Sequence, residues 1–142
     1  DNVTAAMNDF IMSFPVAVRA PDGLFIAHSL PSPRQVDSFD PAVLDRLPGA
    51  DDLTSAGSVH HLVWGRNHTP PALDRFAAMV DARLFIVGHQ PVEMGYDIIG
   101  DRLIILACDH VHGMMLPIDL SERYTLSDLV ERLVPLASIP MD

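Results

Sequence analysis

The sequence predicts one α/β (α+β) domain in which helices flank a layered, mixed β-sheet. Short apolar runs bounded by turn residues recur along the chain, as in the strands of a buried sheet. Other segments, such as residues 70–81, space their apolar side chains three and four positions apart, as an amphipathic helix does. The 142 residues are enough for one core, and no repeat or linker divides them.

Turn and capping residues set the limits of the predicted elements. Pro-Asp-Gly at 21–23 and Gly-Asp at 100–101 indicate tight hairpin turns. Asp40 before Pro41, and Thr69 before two prolines, are typical helix starts, and Thr125 is a third capping residue. In order, we expect a helix over 2–14, strands over 14–20 and 24–28, a loop over 29–40, a short helix over 41–47, a polar loop over 48–58, an apolar approach to a strand over 59–64, a helix over 70–81, a strand over 83–88, a hairpin over 96–107, a strand over 113–120 and a helix over 125–136.

Composition limits the classes of function. The formal net charge is −10, and all nine basic residues are arginines, so a nonspecific nucleic-acid surface is not expected. No apolar run approaches the ~18 residues that cross a bilayer, and no secretory signal is visible, so we expect no membrane partner. The single cysteine, Cys108, follows an apolar run and is expected to be buried, in a reducing, cytoplasmic compartment.

Polar residues that can bind metal ions follow three of the predicted strands. His28 and His89 each come directly after an apolar run, and Asp109, His110 and His112 follow a third. Strand ends converge on one edge of an α/β sheet, and neutral imidazole is a common metal ligand. His110 and His112 would point the same way on a strand, as a further ligand pair, or would lie in a solvated loop. Gly88 before His89 is expected to clear space for a cation.

The segment between the two histidines contains a candidate anion-binding residue. Arg66 lies beside a tryptophan that could hold it rigidly, and a guanidinium suits phosphate. A surface salt bridge is the alternative for this residue. Asn67 and His68 directly precede a helix start and are interpreted as loop residues. His60 and His61 are interpreted as surface histidines, and the methionines and phenylalanines as core residues.

Taken in order, these segments resemble the C-terminal half of a calcineurin-like metallophosphoesterase. The resemblance is to the phosphoprotein phosphatase branch and its bacterial relatives, which include symmetrical diadenosine-tetraphosphate hydrolases. It covers about residues 8–120. The segments that carry it are "FIMSFPVAV" for a helix leading into a strand, "LFIAHSLPSP" for a strand ending in His-Gly-Gly, "LVWGR" for a tryptophan segment with an arginine, "VGHQPVEMGY" for a strand ending in Gly-His before Gly-Tyr, and "LIILACDHVHGMMLPIDL" for a strand running into a polar turn.

The resemblance implies roles for three residues. His28 and His89 match two metal-binding histidines, and Arg66 matches an arginine that contacts the substrate phosphate. The implied reaction is hydrolysis of a phosphorylated protein, nucleotide or small molecule by metal-activated water, with two divalent ions of manganese, iron or zinc as cofactors. The chain departs from the pattern after His28, where Ser-Leu replaces Gly-Gly and removes the freedom of two glycines.

Three motifs of the family are absent from the sequence: Asp-x-His, Gly-Asp-x-x-Asp and Gly-Asn-His-Glu. We therefore expect the chain to be the C-terminal part of a domain whose N-terminal half supplies the other ligands, and to be inactive alone. The alternative is a non-catalytic, protein-binding domain derived from a phosphatase fold. A third hypothesis is a site for one metal ion, built from His28, His89 and either Asp109 or His110.

Overall fold

A computed structural model of the chain describes residues 2–139 and has a mixed α/β architecture. The helices are α1 (Asn2–Met12), α2 (Ser58–Trp64), α3 (Pro70–Val80) and α4 (Leu126–Glu131). The strands are β1 (Ala17–Arg19), β2 (Leu24–Ala27), β3 (Leu84–Val87), β4 (Tyr96–Ile99), β5 (Leu103–Leu106), β6 (Met114–Met115) and β7 (Val134–Pro135). The predicted class, helices layered on a mixed sheet, is confirmed.

Five strands form the main sheet in the order β1-β2-β3-β5-β4. The central strands β2, β3 and β5 are parallel, and β1 and β4 pair antiparallel at the two edges. Both predicted hairpin turns are present, with Gly23 at φ 85° and Gly100 at φ 64°, a conformation that glycine adopts without strain. Because β2, β3 and β5 are parallel, their carboxyl ends open on one edge of the sheet.

The central strands are covered on both faces by apolar side chains. Phe25 and Phe85 belong to a cluster that includes residues of α2 and α3. Leu24 and Leu84, their neighbours in the chain, belong to a second cluster that includes Leu129 of α4. A strand buried on both faces has a continuous apolar run rather than an alternating one, which explains why these strands were recognisable in the sequence.

Two of the predicted helices begin and end close to their expected residues. α3 begins at Pro70 and ends at Val80, where Asp81 adopts the left-handed conformation, with φ 51°, that often ends a helix. α4 begins after Thr125, whose Oγ1 accepts a hydrogen bond from the Asp128 N–H at 3.2 Å. The Asp128 carboxylate in turn accepts one from the Thr125 N–H at 2.7 Å, which completes a capping box.

Three predicted elements differ in the structure. Residues 59–64, expected to lead into a strand, lie in α2; periodicity alone does not separate a strand from a helix in so short an apolar run. The helix expected to Leu47 is a 3₁₀ turn over Pro41–Leu44, with Asp40 as its N-cap. The strand expected over 113–120 shortens to β6, which pairs with β7 in a segment predicted to be helical.

The predicted helix at the start of the chain is present as α1, but none of its residues is buried. Phe10, which is 64% exposed, and Phe14 contact each other edge to face instead of entering the core, so their assignment as core residues is wrong. Helical periodicity identifies an apolar face and carries no information about what covers it. Among residues 2–139, no helix is long and apolar enough to cross a bilayer.

Candidate functional site

The carboxyl ends of β2 and β3 bring two histidines together. His28 directly follows β2, and His89 lies two residues past the end of β3. The strands are parallel neighbours, with Phe25 opposite Phe85, so both chain segments leave the sheet at the same edge. His28 Nε2 lies 3.1 Å from His89 Nδ1, although 61 positions separate the residues in sequence.

The distance between these nitrogens suits two kinds of contact. One ring can donate its N–H to the unprotonated nitrogen of the other. Alternatively, both nitrogens can bind one ion: two nitrogens, each about 2.0–2.1 Å from an ion and about 90–110° apart around it, are separated by about 2.9–3.4 Å. The 3.1 Å separation therefore fits two ligands of one divalent cation.

No third ligand joins the histidine pair in the part of the chain that the structure describes. No group of three histidine, cysteine, aspartate or glutamate side chains is placed to hold a metal ion within residues 2–139. Asp109 and His112 are exposed in a turn after β5, and His110 Nε2 lies 2.7 Å from the carbonyl oxygen of Val92. The segment is the solvated loop of the two alternatives. The hypothesis of a self-contained site for one metal ion thus lacks its third ligand among these residues.

The surroundings of His89 favour its neutral form. Burial lowers the pKa of His89, and the positive charges of Arg66 and His28 lower it further. The neutral imidazole is the form that binds a cation, so a lowered pKa extends metal binding to lower pH. The buried Nε2 of His89 has no hydrogen-bond partner in residues 2–139, whereas a metal-binding histidine ordinarily donates its second N–H to an acceptor.

The backbone of His89 is in the left-handed region, with φ 64°. Asn67, which faces this turn, also has positive φ, and its N–H donates to the Gln90 side-chain oxygen at 3.2 Å. The expectation that Gly88 clears space is wrong, because an added Cβ there would lie 3.6 Å from its nearest neighbour, the Leu106 carbonyl oxygen. The left-handed turn at His89, and not a missing side chain at Gly88, sets the direction of the imidazole.

The C-terminal end of α2 packs against the segment that follows β2. The Ser29 N–H donates to the Leu62 carbonyl at 2.7 Å, and the Ser29 hydroxyl donates to the Gly65 carbonyl at 2.6 Å. Ser29, at a position where the resemblance led us to expect glycine, is therefore a buried link between the two segments. This link places Trp64 with its ring edge to face against His89, at 5.3 Å between centroids.

Replacing Gly65 by alanine is expected to destabilise the fold by about 2–4 kcal/mol. A Cβ at this position would lie 1.6 Å from the Leu30 carbonyl oxygen and 2.9 Å from that of His61, and both are backbone atoms that cannot rotate away. Urea denaturation measures the loss. Trp64, the single tryptophan of the chain, adjoins the substitution and reports unfolding by fluorescence.

Gly88→Ala is the matched control for this substitution. Its added methyl group meets only ordinary van der Waals distances, so the free energy of unfolding should stay within about 1 kcal/mol of that of the unsubstituted chain. Equal stability of the two variants would contradict the close packing between Gly65 and Leu30.

Arg66 lies next to the histidine pair. Its backbone N–H donates to the Ser32 hydroxyl at 2.8 Å, and its exposed side chain forms no ion pair with the described residues. The salt bridge considered as an alternative role is therefore not formed there. The charge of Arg66 acts on His89, since it contributes to the lowered pKa of that ring.

Sequence reasoning missed the burial of two histidines. His68, interpreted as a loop residue, does lie in a loop but is only 7% exposed, and neither ring nitrogen has a hydrogen-bond partner in the described chain. Burial lowers its pKa to about 4, partly offset by the Pro31 carbonyl and reinforced by His89. His61, predicted to be on the surface, is 2% exposed because α2 turns it into the core. Cys108, predicted to be buried, is exposed.

The chain matches no protein-family profile and no curated protein. The chemistry of the site is therefore inferred from its own side chains. Two imidazoles can share one cation, and one guanidinium beside them can bind an anion.

Proposed function

We propose that the chain is the C-terminal part of a calcineurin-like, metal-dependent phosphoesterase that hydrolyses phosphate esters with water as nucleophile. The main support is the 3.1 Å approach of His28 Nε2 to His89 Nδ1, at the carboxyl edge of two parallel strands. Sites of α/β sheets lie outside this edge. The guanidinium of Arg66 beside the pair favours an anionic ligand such as phosphate over a neutral one.

Each side chain has a distinct role in this proposal. His28 and His89 hold one of two divalent cations, for which manganese, iron and zinc are all suitable. A cation bound there would lower the pKa of a coordinated water and polarise a phosphoryl oxygen. Arg66 binds the non-bridging oxygens of the ester and orients it. Trp64, packed edge to face on His89, shields one side of the imidazole from water.

Two imidazoles do not complete a metal centre, and the described residues group no further ligands with them. We propose that an N-terminal half of the same domain supplies the remaining ligands, so the 142-residue chain alone should not turn over substrate. A phosphorylated protein, nucleotide or small molecule is the substrate. A reducing, cytoplasmic location is also part of the proposal, because Cys108 is a free thiol.

The full-length polypeptide is expected to hydrolyse p-nitrophenyl phosphate in the presence of Mn²⁺. Arg66→Gln should lower kcat/KM by about 10–100-fold, because the uncharged amide cannot replace a charge-assisted contact to phosphate. Steady-state kinetics measures the effect. The control is Arg123→Gln, which removes another exposed arginine that has no ion pair among the described residues and should leave kcat/KM unchanged.

Absence of turnover with manganese, iron and zinc would overturn the proposal. A protein-binding domain without catalytic activity would then be the better assignment, and one observation already favours it as second candidate. α1 exposes an apolar face that includes Met7, Phe10 and Ile11. Exposed apolar patches of this kind commonly mark interaction surfaces.

A further inference from the structure

Most arginines of this acidic chain are paired with carboxylates. The chain has 19 acidic residues against nine arginines, so a guanidinium without an acidic partner is the exception. Within residues 2–139, three arginines form no ion pair: Arg34, Arg66 and Arg123. The six that do are Arg19, Arg46, Arg75, Arg83, Arg102 and Arg132.

Arg34 and Arg66 line the same open cavity, which has a volume of about 600 Å³. No acidic residue lines it; the other lining residues are Ser32, Pro33, Gln35 and Asn67. Asp37, the acidic residue nearest to Arg34 in sequence, is occupied by Arg75 at 3.1 Å. The volume falls within the range of about 300–1,000 Å³ that is typical of small-molecule sites.

Hydrogen bonds join the two segments that carry these arginines. The Ser32 hydroxyl accepts a hydrogen bond from the Arg66 N–H at 2.8 Å, and the Ser32 N–H donates to the Gln35 side-chain oxygen at 3.0 Å. The backbone positions of Arg34 and Arg66 are therefore linked through Ser32. Two guanidinium groups in one cavity repel each other unless an anion lies between them, and a ligand with two anionic groups removes that repulsion.

We propose that Arg34 determines substrate specificity by binding a second anionic group on a small phosphate ester whose first phosphate is bound by Arg66. The inference rests on the proposed function for the cleavage step. The binding step rests on the two arginines alone. The second group can be a phosphate or a carboxylate, because a guanidinium forms paired hydrogen bonds with either.

Calorimetric titration of the full-length polypeptide, freed of metal with a chelator, tests the binding step. The probes are inorganic phosphate, pyrophosphate for a second phosphate, and phosphoglycolate for a carboxylate. We expect pyrophosphate, phosphoglycolate or both to bind about tenfold more tightly than phosphate. Arg34→Gln should reduce that preference to near unity, Arg66→Gln should weaken all three ligands, and Arg123→Gln should change none. Circular dichroism verifies that the variants are folded.

Equal affinity for all three probes would overturn the inference, as would an Arg34→Gln variant that behaves like Arg123→Gln. Because the titration contains no metal, its result does not depend on His28 or His89. If phosphoesterase activity is absent and the Arg34-dependent preference persists, the proposed function fails and the anion site stands. If activity is present and the preference is absent, only the role of Arg34 fails.

Discussion

His89→Ala in the full-length polypeptide is expected to lower the affinity for Mn²⁺ by at least ~100-fold and to reduce phosphoesterase turnover to background. Loss of a group that merely supports a metal ligand already costs 10–100-fold, and this substitution removes a ligand itself. It should cost little stability, because His89 Nε2 has no hydrogen-bond partner in the described chain. Calorimetric titration with Mn²⁺ and steady-state kinetics with p-nitrophenyl phosphate measure the two effects.

His28→Ala should reproduce both losses, because its Nε2 is the other nitrogen of the 3.1 Å pair. The control is His110→Ala, since His110 follows the neighbouring strand β5 but its Nε2 is directed to the Val92 carbonyl oxygen. The control variant should keep the affinity and the turnover of the unsubstituted protein. Retention of Mn²⁺ affinity in both His28→Ala and His89→Ala would exclude the pair as metal ligands.

Acid is expected to destabilise the fold through His68. The pKa of His68 falls from its ordinary value of 6.5 to about 4 in the folded chain, mainly because of burial. Between these two pH values the unfolded chain binds more protons, so stability is fully present above pH 6.5 and falls as the pH drops towards 4. The loss at pH 4.5 is about 2 kcal/mol. Urea denaturation at pH 4.5 and 7.5, with chelator present, measures it.

His68→Phe should remove this contribution. The phenyl ring has a similar shape, and no hydrogen bond to a described residue is lost, since neither ring nitrogen of His68 has such a partner. The variant should therefore gain about 2 kcal/mol over the unsubstituted chain at pH 4.5, relative to pH 7.5. Some acid sensitivity should remain, because burial also lowers the pKa of His61. An unchanged pH dependence in His68→Phe would contradict the role of this imidazole.

The parts of the fold that could be predicted are those in which local pattern and tertiary environment agree. β3 and β5 are continuous apolar runs because both faces of the sheet are covered, and Gly100 marks the turn between β4 and β5. The approach of His28 and His89 was predictable for the same reason. Each follows an apolar run, and parallel strands bring such ends to one edge.

The remaining features depend on contacts that local pattern does not encode. The burial of His61 depends on α2 being a helix, and its short apolar run also suits a strand. The burial of His68 arises in a loop, where no periodicity exists to be analysed. Arg34 becomes noteworthy only when the acidic partners of the other arginines are known, because those pairs join distant segments, such as Asp37 with Arg75.

The left-handed backbone at His89 has a consequence for protein engineering. Glycine would adopt φ 64° without the roughly 1–2 kcal/mol that a Cβ costs in this region. Redesign that optimises only thermal tolerance would therefore select glycine at this position and delete the imidazole. Robustness and activity thus oppose each other at this residue, and directed evolution towards hardier variants should be screened for retained metal affinity.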